Sequence, residues 1–123
     1  MQKKWIVLLV LAISLIVIAG NAFSTPLNAV SSEPALAGAT VSISNFQFTP
    51  KVVRIKAGGT VTWVVKEGNH TVNADDGSFE SPALAAGQKF SHQFSSPGTY
   101  KYYCSFHGSK GGHDMAGTVI VTR

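Results

Sequence analysis

The sequence of 123 residues holds one cysteine, Cys104, and two methionines. A single cysteine excludes an internal disulfide. The thiol is therefore a buried inert group, an intermolecular link, a reactive nucleophile or a metal ligand. Charge is sparse as well: 13% of residues are charged, and only six are acidic. The formal charge of +4 shrinks further once Lys3 and Lys4, which open a terminal apolar stretch, are set aside. Eight basic residues then stand against six acidic ones, a balance of +2. The bases lie scattered from Lys51 to Arg123 rather than in the basic stripe of a nucleic-acid binder, so no nucleic-acid partner is expected. With four histidines and no Met-rich or His-rich tract, the chain has little material for several metal centres or for a storage array.

The N-terminus is the one place with a long hydrophobic run. Lys3 and Lys4 precede fifteen residues, 5 to 19, that are apolar except for Ser14, and the small residues Gly20 and Ala22 follow. A basic start, an apolar core and small residues are the pattern of a secretory targeting helix, with cleavage after Ala22. A spanning helix needs about 17 to 20 apolar residues. Counted through Phe23 the run reaches that range, so residues 1–22 read as a signal peptide or as a signal anchor holding the protein to a membrane through residues 5–22. The shorter count favours a soluble or loosely attached mature form. No cysteine lies near the cleavage point to carry a lipid. Residues 23–40, rich in Ser, Thr, Pro, Ala, Gly and Asn, read as a flexible linker. The remainder, 41–123, is long enough for one sandwich core.

Outside the targeting run no segment has helical period. Val41, Ile43, Phe46 and Phe48 are apolar at near-alternating spacing. Val52–Ile55 is a short strand, Gly58-Gly59 a turn, and Thr60–Val65 a β-branched and aromatic strand. Residues 73–82 form a polar loop, and Gln88–Phe94 alternates. Ser95-Ser96-Pro97-Gly98 is a turn before the strand Thr99–Cys104, and Thr118–Thr122 closes the chain. Short strands at regular spacing predict an all-β sandwich or barrel. Trp63, Phe46, Phe48, Phe90 and Phe94 are expected in its core, and His92 on its surface.

The chemistry gathers near the C-terminus. Cys104 ends a strand, and His107 lies three residues on, where thiolate and imidazole reach one point. Gly108, Gly111 and Gly112 let the following loop turn back, since glycine tolerates positive φ. Met115 stands just before the last strand, and His70 follows the Trp63 strand and a turn. Thiolate and thioether are soft ligands, imidazole is borderline, and two histidines, a cysteine and a weak axial methionine are the blue-copper set. Binding also accounts for a lone thiol outside the cytoplasm. Asn69, Thr71 and Ser105 flank these positions as candidates for hydrogen bonds that orient the ligands.

Cys-x-x-His with a following Met, preceded by Tyr102-Tyr103 and closing on Gly117-Thr118-Val119-Ile120-Val121, resembles the plastocyanin, amicyanin and pseudoazurin group of cupredoxins. Asn45-Phe46-Gln47-Phe48-Thr49-Pro50, Ala57 to Trp63, and His70-Thr71-Val72 are similar to that family too, so the likeness spans about 41–122. It implies a Greek-key β-sandwich with one type 1 copper ion near one end, held by His70, Cys104, His107 and Met115, and with the His107 ring edge meeting solvent. Three features depart from the family pattern: Val65 stands where an asparagine is common, and the other two lie beside His107. Seven residues separate His107 from Met115, more than plastocyanin- or amicyanin-like loops hold, and His113 lies among them as a rival axial ligand. Phe106 stands where many relatives have proline.

The targeting run and the resemblance together predict an exported, periplasmic or otherwise extracytoplasmic monomer that is not an enzyme. It would cycle Cu(I)/Cu(II) and pass single electrons between redox proteins docking transiently near His107, on an apolar rim of Phe106, Gly108, Ala116 and Pro82 or Leu84. The alternative is a copper delivery or storage module without redox turnover. A copper oxidase or nitrite reductase fragment would need further centres, for which the histidines do not suffice.

Overall fold

A computed structural model describes residues 34–123. The expected targeting segment 1–22, and the expected linker as far as residue 33, lie outside the described residues. Nine strands form, and among the described residues there is no helix. They are β1 Leu36–Ser44, β2 Gln47–Thr49, β3 Val52–Val65, β4 Asn69–His70, β5 Asn73–Ala74, β6 Leu84–Ala85, β7 Lys89–Gln93, β8 Gly98–Ser109 and β9 His113–Thr122.

The hydrogen-bonded order is β2-β1-β3-β9-β8-β5, with β7 also on β3, while β4 pairs with β6. β1 and β9 both run parallel to β3 on different stretches of it. Parallel neighbours require crossover connections rather than hairpins, and the result is the Greek-key β-sandwich. β3 is the hinge of the arrangement. The sequence predicts two strands around a Gly58-Gly59 turn, but the strand is continuous. Its first half, Val52–Lys56, pairs with β9, and its second half, Thr60–Val64, pairs with β7 and β1. Gly58, at φ 94°, supplies the bend. At Gly59 any side chain would run into the Ala37 carbonyl, so the two glycines bend the chain without breaking the ladder.

β1 begins at Leu36, ahead of Val41, where composition alone drew the domain edge. Gly38–Thr40 pair with Thr60–Thr62 through backbone groups, and that pairing needs no apolar periodicity.

The core follows from alternation. On β3 the odd-numbered Val53, Ile55, Val61, Trp63 and Val65 are buried, and Val41, Ile43, Val119 and Val121 face them from neighbouring strands. Trp63 packs edge-on to Tyr102 of β8 at 5.2 Å and stacks on Phe79 at 5.6 Å, so the two halves of the sheet meet through aromatic rings. Gly117 makes room for Tyr102, since a Cβ there would lie 2.5 Å from the phenol oxygen. Burial raises the pKa of that phenol.

Two sequence expectations fail here. Phe46 is not core but 64% exposed. His92 is half-buried rather than on the surface: it stacks on Phe79 at 4.8 Å and meets Phe94 edge-on at 4.8 Å.

Candidate metal centre

The site is built into a flaw in one ladder. β8 and β9 pair regularly from Gly98↔Val121 to Tyr103↔Ala116, and again at Gly108↔Asp114 and Ser109↔His113. Between these runs four residues of β8, Cys104 to His107, face a single residue of β9, Met115. A bulge of this kind bends the strand and re-aims its side chains. It turns Cys104 inward, fully buried, and leaves His107 exposed. Gly108 closes the bulge. A Cβ there would lie 2.5 Å from the Met115 carbonyl oxygen and 2.8 Å from its nitrogen, so only glycine lets the two backbones approach this closely.

The expected seven-residue loop is thus mostly a hairpin. Its pairing continues to Ser109↔His113, and the tip turns at Gly111 (φ 90°) and Gly112 (φ 84°). Asp75 clamps the tip, its Oδ2 accepting the Gly111 N–H at 2.8 Å.

Three donors converge. The ligand atoms of His70, Cys104 and His107 all lie within 4.8 Å of one another. Cys104 Sγ stands 3.8 Å from His70 Nδ1 and 3.6 Å from His107 Nδ1. Metal bonds of about 2.0 Å to nitrogen and 2.3 Å to sulfur bring two donors on one ion to roughly that separation. Met115, at 2% exposure, lies in the core opposite the bulge. His113 is exposed and does not belong to the cluster.

Each donor is held. His70 Nε2–H donates to the Glu67 carbonyl at 3.0 Å, which leaves Nδ1 with a free lone pair facing the thiol. Gly68, at φ 77°, lets this turn close, and a Cβ there would sit 3.0 Å from His70 Nε2. Burial lowers the His70 pKa, and the neighbouring His107 lowers it further, while the Glu67 carbonyl opposes both. The balance favours the neutral imidazole that a metal requires.

The Cys104 sulfur receives the Thr71 N–H at 3.4 Å. Thr71 Oγ1 donates to Asn73 Oδ1 at 2.6 Å and accepts the Ser105 N–H at 2.8 Å. Its one proton is committed to Asn73, so the 2.9 Å contact with Ser105 Oγ has serine as donor. This knot ties the turn after His70 to the bulge after Cys104, as the sequence suggested for Thr71 and Ser105. The orienting role foreseen for Asn69 falls to the Glu67 carbonyl, since Asn69 is exposed and pairs with Ala85.

The rim differs from expectation. Phe106 is 54% exposed, as anticipated, and Pro82 is exposed too, but Ala116 and Leu84 are buried. Their place is taken by Phe46, whose ring stands edge-on to His107 at 4.7 Å. The missed signal was Asn45-Phe46 between two short alternating runs, a two-residue hairpin turn.

Soft sulfur with two imidazoles fits copper, and comparison with known proteins agrees. Residues 36–122 match the family described as copper binding proteins, plastocyanin/azurin family. Amicyanin-alpha of Methylorubrum extorquens is 41% identical over 102 residues, covering 77% of this chain and 80% of its own. A purple cupredoxin from Nitrosopumilus maritimus superposes with a TM-score of 0.60 at 32% identity, over 68% of this chain and 99% of that one. A copper-containing nitrite reductase from Thermus scotoductus has the same TM-score at 29% identity, over 80% of this chain but only 25% of the enzyme. Family match, fold and donor set coincide: the chain belongs to the plastocyanin/azurin family of copper-binding cupredoxins, with a single copper ion as its cofactor.

Proposed function

We propose that this protein is a type 1 blue-copper electron carrier, in which His70, Cys104 and His107 would hold the ion and Met115 would be a weaker fourth ligand. Copper supplies a one-electron Cu(II)/Cu(I) couple when bound. The residues around it hold a fixed cage. The Thr71–Ser105 knot and the Glu67 carbonyl pin the donors from behind, so a change of charge need not move them. The observation that carries the reading is the exposure gradient across the cluster: His70 and Cys104 are buried, and His107 reaches solvent. An electron leaves or enters through the His107 edge, and redox proteins dock briefly on the apolar surface of Phe46 and Phe106 beside it.

Met115 is favoured over His113 because it lies opposite the ligand bulge, whereas His113 sits out on the hairpin. The carrier is a monomer and not an enzyme. Of the remaining histidines, His92 is packed between two phenylalanines and His113 is exposed, which supports a single centre. It works outside the cytoplasm, with residues 1–22 as a signal peptide or anchor and the segment up to β1 as a tether.

The test is to add Cu(II) to the purified protein and record its visible spectrum. An intense thiolate-to-copper band in the red is expected, lost in Cys104→Ser, perturbed but present in Met115→Leu, and bleached reversibly by reductant. Absence of the band sinks the proposal. A band that cannot be cycled would favour delivery or storage.

A further inference from the structure

The turn between β1 and β2 holds a costly residue. Ser44 pairs with Gln47, so Asn45 and Phe46 are the two central residues of a tight hairpin, at φ 52° and 57°. Both angles lie in the left-handed region. Asparagine tolerates it and glycine is preferred at the second position, but a bulky aromatic there is an outlier. Strain of this kind persists where function requires it.

Core packing does not offset the strain, since Phe46 is the most exposed large apolar side chain among the described residues. What its ring touches is the metal site. It stands edge-on to His107 at 4.7 Å and 65°, and to His70 at 6.2 Å and 76°, the geometry favoured by aromatic quadrupoles. Glu67 ties the turn in place. Its carboxylate accepts the Asn45 N–H at 3.2 Å, while its carbonyl holds His70 Nε2. One residue thus couples the turn carrying Phe46 to the turn backing His70. Phe46 also lines a groove of about 340 Å³ together with Lys51, Asp114 and Met115, so open space lies against this ring on the side of the proposed fourth ligand.

We propose that Phe46 is a positioning residue of the copper centre, which fixes the ring plane of His107 and keeps water and small anions out of the metal's coordination sphere. This rests on the ligand assignment above. The strained turn sets the ring there, and Glu67 keeps it from swinging away.

The experiment compares full-length wild type, Phe46→Gly and Glu67→Ala. Copper-loaded protein is titrated with azide, and water-proton relaxation by Cu(II) is measured. The copper-free protein is examined by NMR for the ring-current displacement of the His107 ring protons. Phe46→Gly is expected to keep the thiolate band, bind azide at least tenfold more tightly and raise the water relaxation. It is also expected to abolish the His107 displacement. Its melting temperature should not fall, because glycine relieves the turn. Glu67→Ala, which removes the acceptor for the Asn45 N–H and keeps the carbonyl that holds His70, should act in the same direction by about threefold. Unchanged azide affinity and relaxation in Phe46→Gly would overturn the proposal, with or without a fall in melting temperature. The NMR readout needs no metal. A His107 shift that depends on Phe46 without any thiolate band in wild type would therefore indict the ligand assignment rather than the ring. An unshifted His107 would indict the ring itself.

Discussion

β8 and β9 contain two regions made of the same strands with opposite designs. From Gly98 to Tyr103 the pairing is residue for residue, and buried side chains such as Tyr102 and Val119 feed the aromatic core. From Cys104 to His107 the ladder is interrupted, four residues facing one, and three of the four side chains, Cys104, Ser105 and His107, are polar or soft donors. In the regular region stability comes from apolar contact and tolerates imprecision of chemistry. In the bulge apolar contact contributes little, and donor positions within a few tenths of an ångström decide everything. Backbone groups that a regular ladder would satisfy are here taken up by side chains: the Ser105 N–H goes to Thr71 Oγ1, and the Thr71 N–H to sulfur. The irregularity is the site.

If the division is real, stability and copper chemistry can be damaged separately. The largest effect on stability is expected from Trp63→Ala in the regular region. Trp63 is fully buried against Phe79, Phe90 and Tyr102. Removing such a ring costs about 3–5 kcal/mol, a large part of the roughly 5–15 kcal/mol that a small domain has. Urea denaturation of the copper-free protein measures the loss, and the molecules that remain folded should bind copper with the wild-type colour. A changed colour would mean that the core and the site are not separable.

Gly108→Ala is the converse. One methyl group must fit where the Met115 backbone stands 2.5–2.8 Å from its position. Overpacking of this order costs about 1–3 kcal/mol. The greater consequence is that the hairpin must spread at the bulge, which moves Met115 away from Cys104 and His107. The thiolate band should weaken and shift well out of proportion to the change in urea midpoint. A small, proportionate change in both would show that the hairpin gives way elsewhere and that the bulge is not rigid.

The regular region was also the more legible in sequence. Near-alternation picked out Val41 and Ile43, and Trp63 was expected in the core, because a sheet's period of two is written directly in residue order. Cys104, His107 and His70 were legible for a different reason: few chemistries place the only cysteine of a chain in a Cys-x-x-His with a further histidine and a methionine nearby. What escaped were features fixed by backbone geometry at a distance. Gly58-Gly59 looks like a turn, yet it is a bend within one strand, because β9 and β1 engage β3 on either side of it. The seven residues after His107 look like a loop, yet Ser109 finds His113 and Asp75 finds Gly111. Phe46 looks like core by hydrophobicity, and only its left-handed φ, imposed by the two-residue turn, turns it outward onto His107.

Two histidines give the comparison its smallest and most delicate test. Burial lowers the pKa of both His70 and His92. His70 is kept neutral at the metal cluster, and His92 between Phe79 and Phe94 in the regular region. For each, the folded protein holds its proton less tightly than the unfolded chain, whose value is about 6.5. Their contribution to stability is therefore complete above that pH and is lost as pH falls below it through the folded value, since the unfolded state takes up more protons there. In the copper-free protein the urea midpoint should decline from pH 7 to pH 5. His92→Gln, similar in size but without a titrating ring, should make that decline shallower while changing the midpoint at pH 7 little. The His70 contribution is common to both proteins and cancels in the difference. An identical slope in the variant would mean that the two phenylalanines do not shield His92 from water, and that desolvated imidazole is a property of the metal cluster alone.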